Sequence, residues 1–391
     1  MMRTHLTHRL AAAAVGLAFG VGLALAQTAF FPASVERIVK GHCLAAGCHT
    51  GRYPAAGMSL EPSEAALPAF DRPSQSNPEY KIIDPASPEK SYWLMKIKGS
   101  AGIEGKRMPL GREPLAEPDI KTIADWLGSL KSKTVPAAAA AGQKKNLERP
   151  AFWGLSLAGL PTAETLERGR FLFRIAHRFM NSLTGSEGSF LGLDGPASIM
   201  LGVGYGLTDR WTLTLGRSNL LREVETGLAY RALDQAAGAP FGLVLRGGVS
   251  LLTQKTPGRS LLAGDNIRWL ASVSFSRALN GRLSLLVVPS YAGNTDLTTG
   301  LRRGTLALGL GGRWRIAGDL SLFGEWTPVL SGYADAADGW AVGIEKKIGG
   351  HVFQFFALNA AGIASAQRLP GGDLRLRDGD FRIGFNIDRL F

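Results

Sequence analysis

The chain has almost no cysteine: 2 residues in 391, which excludes a disulfide-stapled scaffold. It is also short of charge, at 19%, and of aromatics, at 8%, whereas Gly reaches 50 and the hydrophobic fraction 45%. Those values fit neither a disordered chain nor a helical membrane protein. Acids are outnumbered, 32 against 44 Lys and Arg, for a formal net charge of +12. The basic residues stand singly in strand-like segments and form no patch interleaved with aromatics, so no nucleic-acid partner is expected. Long apolar runs are missing after Ala26. No stretch of about eighteen apolar residues recurs there, so no helical membrane span is available.

The N-terminus carries the pattern of an export signal. Arg3 and Arg9 form a positive region, Leu10 to Leu25 is an uncharged apolar run, and Ala24-Leu25-Ala26 fits a small-x-small cleavage site. A signal peptide over 1–26 is expected, because the run is short for an anchor and Gly16, Gly20 and Gly22 weaken it. Both cysteines then fall in one exported segment, Cys43-Leu-Ala-Ala-Gly-Cys48-His49. Two thiols followed at once by an imidazole can tether a haem and supply its proximal ligand. Met108-Pro109 lies in a later loop, where a thioether can close the other axial position. Four residues separate the cysteines, where the usual attachment motif has two.

Three helices are expected around this motif. Phe31, Val35, Ile38 and Val39 recur at helical spacing before Gly41, and Ser91 to Ile97 has the same character. Glu117 to Leu130 begins with Pro118 and two acids and carries Ile120, Ile123, Trp126, Leu127 and Leu130 as one stripe. Together with Ala46-Gly47-Cys48-His49, Gly57-Met58-Ser59-Leu60, Asp84-Pro85-Ala86-Ser87-Pro88, Met108-Pro109 and Ile123-Ala124-Asp125-Trp126-Leu127, residues 30–130 resemble a small monohaem cytochrome c domain. The resemblance implies one covalently attached haem c on Cys43 and Cys48, with His49 and Met108 as iron ligands. Other readings stay open: a Cys43–Cys48 disulfide, a zinc site using His42, and Met58 or Met95 as distal ligand.

Residues 131–150 turn to Lys, Ala, Gly and Pro and read as a linker. From Arg170 onward the pattern has period two. Phe171, Phe173, Ile175 and Phe179 alternate with Leu172, Arg174, Ala176 and Arg178, and Trp211, Leu213 and Leu215 with Thr212, Thr214 and Gly216. Period alone does not say which face is inside. About twelve strands near ten residues each, joined alternately by tight turns (Leu279-Asn280-Gly281, Ala317-Gly318-Asp319, Gly349-Gly350) and long polar loops, match an outer-membrane barrel. Residues 164–169, 173–179, 192–195, 204–210 and 216–218 resemble an uncharacterised outer-membrane barrel family found alongside c-type cytochromes. The family brings no established catalytic residues. Arg174, Arg178, Glu223, Glu225 and Arg231 are expected to fill the lumen, and His177 to be structural.

The expected architecture is therefore a small all-α cytochrome c-like domain (30–130) followed by an antiparallel transmembrane β-barrel of about twelve strands (151–391). An even strand count puts both barrel ends on the periplasmic side, where the haem domain would meet a periplasmic redox partner while the barrel meets outer-membrane lipid. Single-electron transfer is the favoured function, an electron carrier before an enzyme. The alternatives are a channel or transporter whose small domain is a gate or plug, and an exported haem peroxidase.

Overall fold

The computed structural model describes residues 31–44, 48–50, 55, 58–61, 72–74, 76–130, 150–184, 190–254, 260–296 and 301–391. The expected signal peptide, linker residues 131–149 and parts of the attachment loop lie outside them. Among the described residues no helix is long and apolar enough to cross a membrane.

Three short helices share one apolar core. α1 (Ala33–His42) turns Val35, Ile38 and Val39 inward. α2 (Tyr92–Lys98) stops at Gly99, whose φ of 72° is the left-handed conformation a glycine tolerates. α3 (Glu117–Ser129) starts with Pro118 in its first turn and buries Ile120, Ile123, Trp126 and Leu127. Phe31, Trp93 and Trp126 close the centre, with ring centroids 5.3 Å apart for Phe31–Trp126 and 5.9 Å for Trp93–Trp126. Such edge-on aromatic pairs add about 1 kcal/mol each beyond their buried area.

The rest of the chain is a closed antiparallel barrel. Its strands are β1 (Phe171–Phe179), β2 (Ala197–Gly206), β3 (Trp211–Ser218), β4 (Glu223–Leu233), β5 (Gly242–Leu252), β6 (Ile267–Ala278), β7 (Leu283–Ala292) and β8 (Thr305–Ala317). There follow β9 (Leu320–Thr327, continued after Pro328 as Val329–Gly332), β10 (Gly339–Ile348), β11 (His351–Leu358) and β12 (Arg382–Leu390). Both pieces of β9 pair with β8, so the barrel has twelve strands. Pro328 has no N–H for the ladder, which explains the break. β12 returns to β1, from Leu172↔Leu390 to Arg178↔Gly384, and the Phe391 N–H donates to the Phe171 carbonyl at 2.8 Å. Both ends of the barrel thus lie on one rim. That rim also carries the tight connections at 207–210, 279–282, 318–319 and 349–350, while the long loops lie opposite.

The period-two pattern resolves with its apolar face outward. Leu201 is 51% exposed, Leu215 49% and Trp314 56%, whereas inward-facing Thr212, Ser250, Glu223 and Arg268 are buried. A closed sheet that shows Leu and Trp on its outside is built for lipid. Aromatics gather near both rims, Phe171, Phe391, Trp211 and Tyr230 at one end and Trp269, Tyr291 and Trp326 at the other.

Candidate functional site

The expected attachment residues share one turn after α1. The His49 N–H donates to the Cys43 carbonyl at 3.2 Å, and the Leu60 N–H to the His49 carbonyl at 2.8 Å, so the loop folds back across the motif. Cys43 and Cys48 are free thiols, not a disulfide. Cys43 belongs to the helical core, and burial, with a smaller push from Cys48, raises its thiol from 9.0 to about 11. His49 Nδ1 lies 3.1 Å from the Met58 carbonyl. A carbonyl only accepts, so Nδ1 carries the proton and Nε2 keeps the lone pair. Burial holds the imidazole below its usual 6.5, the Met58 and Ala55 carbonyls oppose that, and Lys96 adds to it. A neutral imidazole is the form that binds a metal.

Met108 is tied to α2 at Lys96. The Met108 N–H donates to the Lys96 carbonyl at 2.8 Å, and Lys96 Nζ donates to the Glu104 and Lys106 carbonyls at 2.8 and 2.6 Å. Lys96 therefore pins the loop before α3 and places a charge beside His49. The rival Met95 packs toward Gly102, and His42 is exposed. The zinc reading finds no group of three His, Cys, Asp or Glu side chains among the described residues.

The barrel interior holds a feature the period-two reading missed. Residues 150–166 rise into the lumen as a hairpin, with the Leu157 N–H on the Leu160 carbonyl at 3.0 Å and the Thr162 N–H on the Leu155 carbonyl at 2.9 Å. Leu157 and Leu160 are fully buried, and Leu160 packs against Gly309 and Gly311, where no larger residue leaves room for it. Barrel arginines hold the hairpin's carbonyls: Arg178 Nη2 on Ala158 at 2.9 Å, Arg313 Nη2 on Pro150 at 2.9 Å and Arg246 Nη2 on Glu164 at 3.1 Å. At the tip, Glu325 accepts from the Gly159 and Leu160 N–H groups, both at 3.0 Å. From the opposite rim, α4 (Ser365–Arg368) dips in and sets Arg368 against Gly159. Among the described residues the lumen is filled by this hairpin, met by α4. The signal available in the sequence was Phe152 to Ala163, an apolar run rich in Gly and Pro with neither strand nor helix period.

The expected lumen charges are where the pattern put them. Arg174 pairs with Asp388 at 2.6 Å, Arg268 with Glu223 at 3.0 Å, and Arg313 with Glu345 at 3.7 Å. Ser250 also donates to Glu223. His177 points outward and stacks on Phe385 with centroids 4.8 Å apart, a structural role as expected.

Solved outer-membrane proteins resemble this chain only distantly. Among solved structures, the NanC porin is 12% identical with a TM-score of 0.36, over 56% of this chain and 98% of the porin. The COG4313 outer-membrane channel from Pseudomonas putida F1 is 15% identical with a TM-score of 0.33, over 59% of this chain and 98% of the channel. No curated protein matches the sequence. The family model described as "Membrane bound beta barrel domain (DUF5777)" matches residues 152–391, from the hairpin through the last strand. The chain belongs to that family of membrane-bound β-barrels.

Proposed function

We propose that this protein is an outer-membrane-anchored c-type cytochrome that passes single electrons in the periplasm. The observation that carries the reading is the loop Cys43–His49, where two free thiols precede an imidazole whose Nδ1 is committed to the Met58 carbonyl. The donor set fits haem c: Cys43 and Cys48 would hold it by thioethers, and His49 and Met108 would ligate its iron. When bound, the haem supplies one-electron redox chemistry. The chain's own residues orient and shield. The Met58 carbonyl fixes the ring of His49, Lys96 ties down the loop that carries Met108, and the Phe31–Trp93–Trp126 core excludes water. With both barrel ends on the short-turn rim, the linker would deliver this domain to the periplasm and its redox partner. The closed lumen favours an anchor over an open pore.

The second reading is a gated channel or transporter. The barrel family and the retained lumenal cavity between hairpin and α4 favour it. Mass spectrometry of the mature chain separates the two. A haem-sized addition on the peptide spanning Cys43 and Cys48 is expected. Two fully alkylatable thiols on protein from a host able to attach haem would sink the cytochrome reading.

A further inference from the structure

Between the hairpin and α4 the barrel keeps a cavity of 220 Å³. Leu155, Leu172 and Leu369 contribute to its largely apolar wall, which also carries three arginines, Arg174, Arg246 and Arg368, and two acids, Glu164 and Glu225. Two of the arginines are engaged. Arg174 is bidentate on Asp388, at 2.6 and 2.9 Å. Arg246 gives Nη1 to Ser274 Oγ at 2.8 Å and Nη2 to the Thr162 and Glu164 carbonyls at 2.5 and 3.1 Å.

Arg368 differs. Among the described residues its guanidinium makes no hydrogen bond and no ion pair, although Glu225 and Glu325 act on its charge. Both acids are already spent. Glu225 accepts from the Ser365 N–H at 2.7 Å and the Ser365 hydroxyl at 2.9 Å, and Glu325 holds the hairpin tip. A guanidinium has a fork of five N–H donors, and holding it away from bulk water without acceptors is costly. The Arg368 nitrogens open on the cavity, so whatever occupies that space, water or a ligand, offers them its oxygens. One water takes only about 30 Å³, so the space admits a molecule of several heavy atoms.

We infer that this cavity binds a short aliphatic monocarboxylate, its two oxygens on the Arg368 fork and its tail along Leu155 and Leu172. A carboxylate matches the planar fork in both charge and geometry, and the leucines suit an unbranched alkyl chain. The site is independent of the attachment loop and of any haem.

The test is melting of the full chain in detergent micelles with butanoate or hexanoate, against butanol, hexanol, chloride and inorganic phosphate at matched ionic strength. A saturable rise in melting temperature with the carboxylates is expected, with apparent affinity at least about tenfold weaker for the alcohols and for Arg368→Gln. Arg368→Gln also alters packing on Gly159, so a second variant is needed. At Gly202 of β2 an added Cβ would meet only Arg174 Cβ at 3.7 Å and the Leu215 carbonyl at 3.9 Å, both ordinary contacts. Gly202→Val therefore extends into the cavity and should weaken hexanoate more than butanoate, with ligand-free melting unchanged. The inference fails on any of four results: no saturable shift, an unaltered response in Arg368→Gln or in Gly202→Val, alcohols equal to acids, or inorganic anions equal to carboxylates.

Discussion

A closed lumen and a wet one make opposite demands on the Glu223–Arg268 pair. The two side chains are 0% and 1% exposed, with Arg268 Nη1 3.0 Å from Glu223 Oε2. At that distance the attraction is about 5.5 kcal/mol for an effective dielectric near 20, and about 1.4 kcal/mol in bulk water. Among the described residues Arg268 Nε and Nη2 have no hydrogen-bond partner, so the pair leans on one contact and the Ser250 hydroxyl. In a dry lumen, Arg268→Met strands a buried carboxylate and Glu223→Gln strands a buried guanidinium. Each should cost about 3–5 kcal/mol, while the double variant recovers most of that loss. In a water-filled pore the same pair would behave like a surface bridge, worth about 0–1 kcal/mol. The assay is urea unfolding of the detergent-solubilised chain, followed by tryptophan fluorescence for wild type, both single variants and the double. A coupling energy above about 2 kcal/mol is expected. Single losses under about 1 kcal/mol each, adding without coupling, would refute the sealed interior and favour an open channel.

Three further outcomes follow from the same structure. Leu215→Arg, on the outward face midway along β3, should destabilise the barrel in lipid by about 2–4 kcal/mol; an effect under 0.5 kcal/mol in liposome unfolding would count against a lipid-facing surface. Leu160→Ala should cost about 2–5 kcal/mol, since Leu160 is fully buried between hairpin and barrel, and should expose residues 150–166 to limited proteolysis. In haem-free protein Cys43 has its thiol raised above the unfolded value, so its contribution is fully present below pH 9.0 and lost as pH rises through about 11. That contribution is about 3 kcal/mol, from roughly two units at 1.36 kcal/mol each. Trp93 and Trp126 fluorescence against pH reads it, with Cys43→Ser as the control that should lose the alkaline transition.

The strands were legible because Arg174, Ala176 and Arg178 alternate with Ile175, His177 and Phe179, a period no helix sustains. Period two alone did not say which side they face, since inversion leaves it unchanged; strand length and the alternation of tight turns with long loops did, and closure of β1 on β12 agrees with them. Pro328 interrupts β9 without ending it, because both pieces keep β8 as partner. The hairpin escaped because its fold is set by groups far away in sequence: Glu325 captures Gly159 across 166 positions, and Asn386 reaches Ala158 across 228. Cys43, Cys48 and His49 stand together in the sequence as a motif, whereas the tie of Met108 to Lys96 depends on how the α2–α3 loop closes.

The seam between β1 and β12 also constrains how the molecule is made. The hairpin is synthesised before every strand, yet some of its bonds run to β9, β11 and β12, which emerge late. A closed sheet has no lateral door, so once Phe391 has paired with Phe171 the hairpin has only the barrel's ends to pass. That closing stitch joins two positions 220 residues apart, and contacts of such long separation fold slowly.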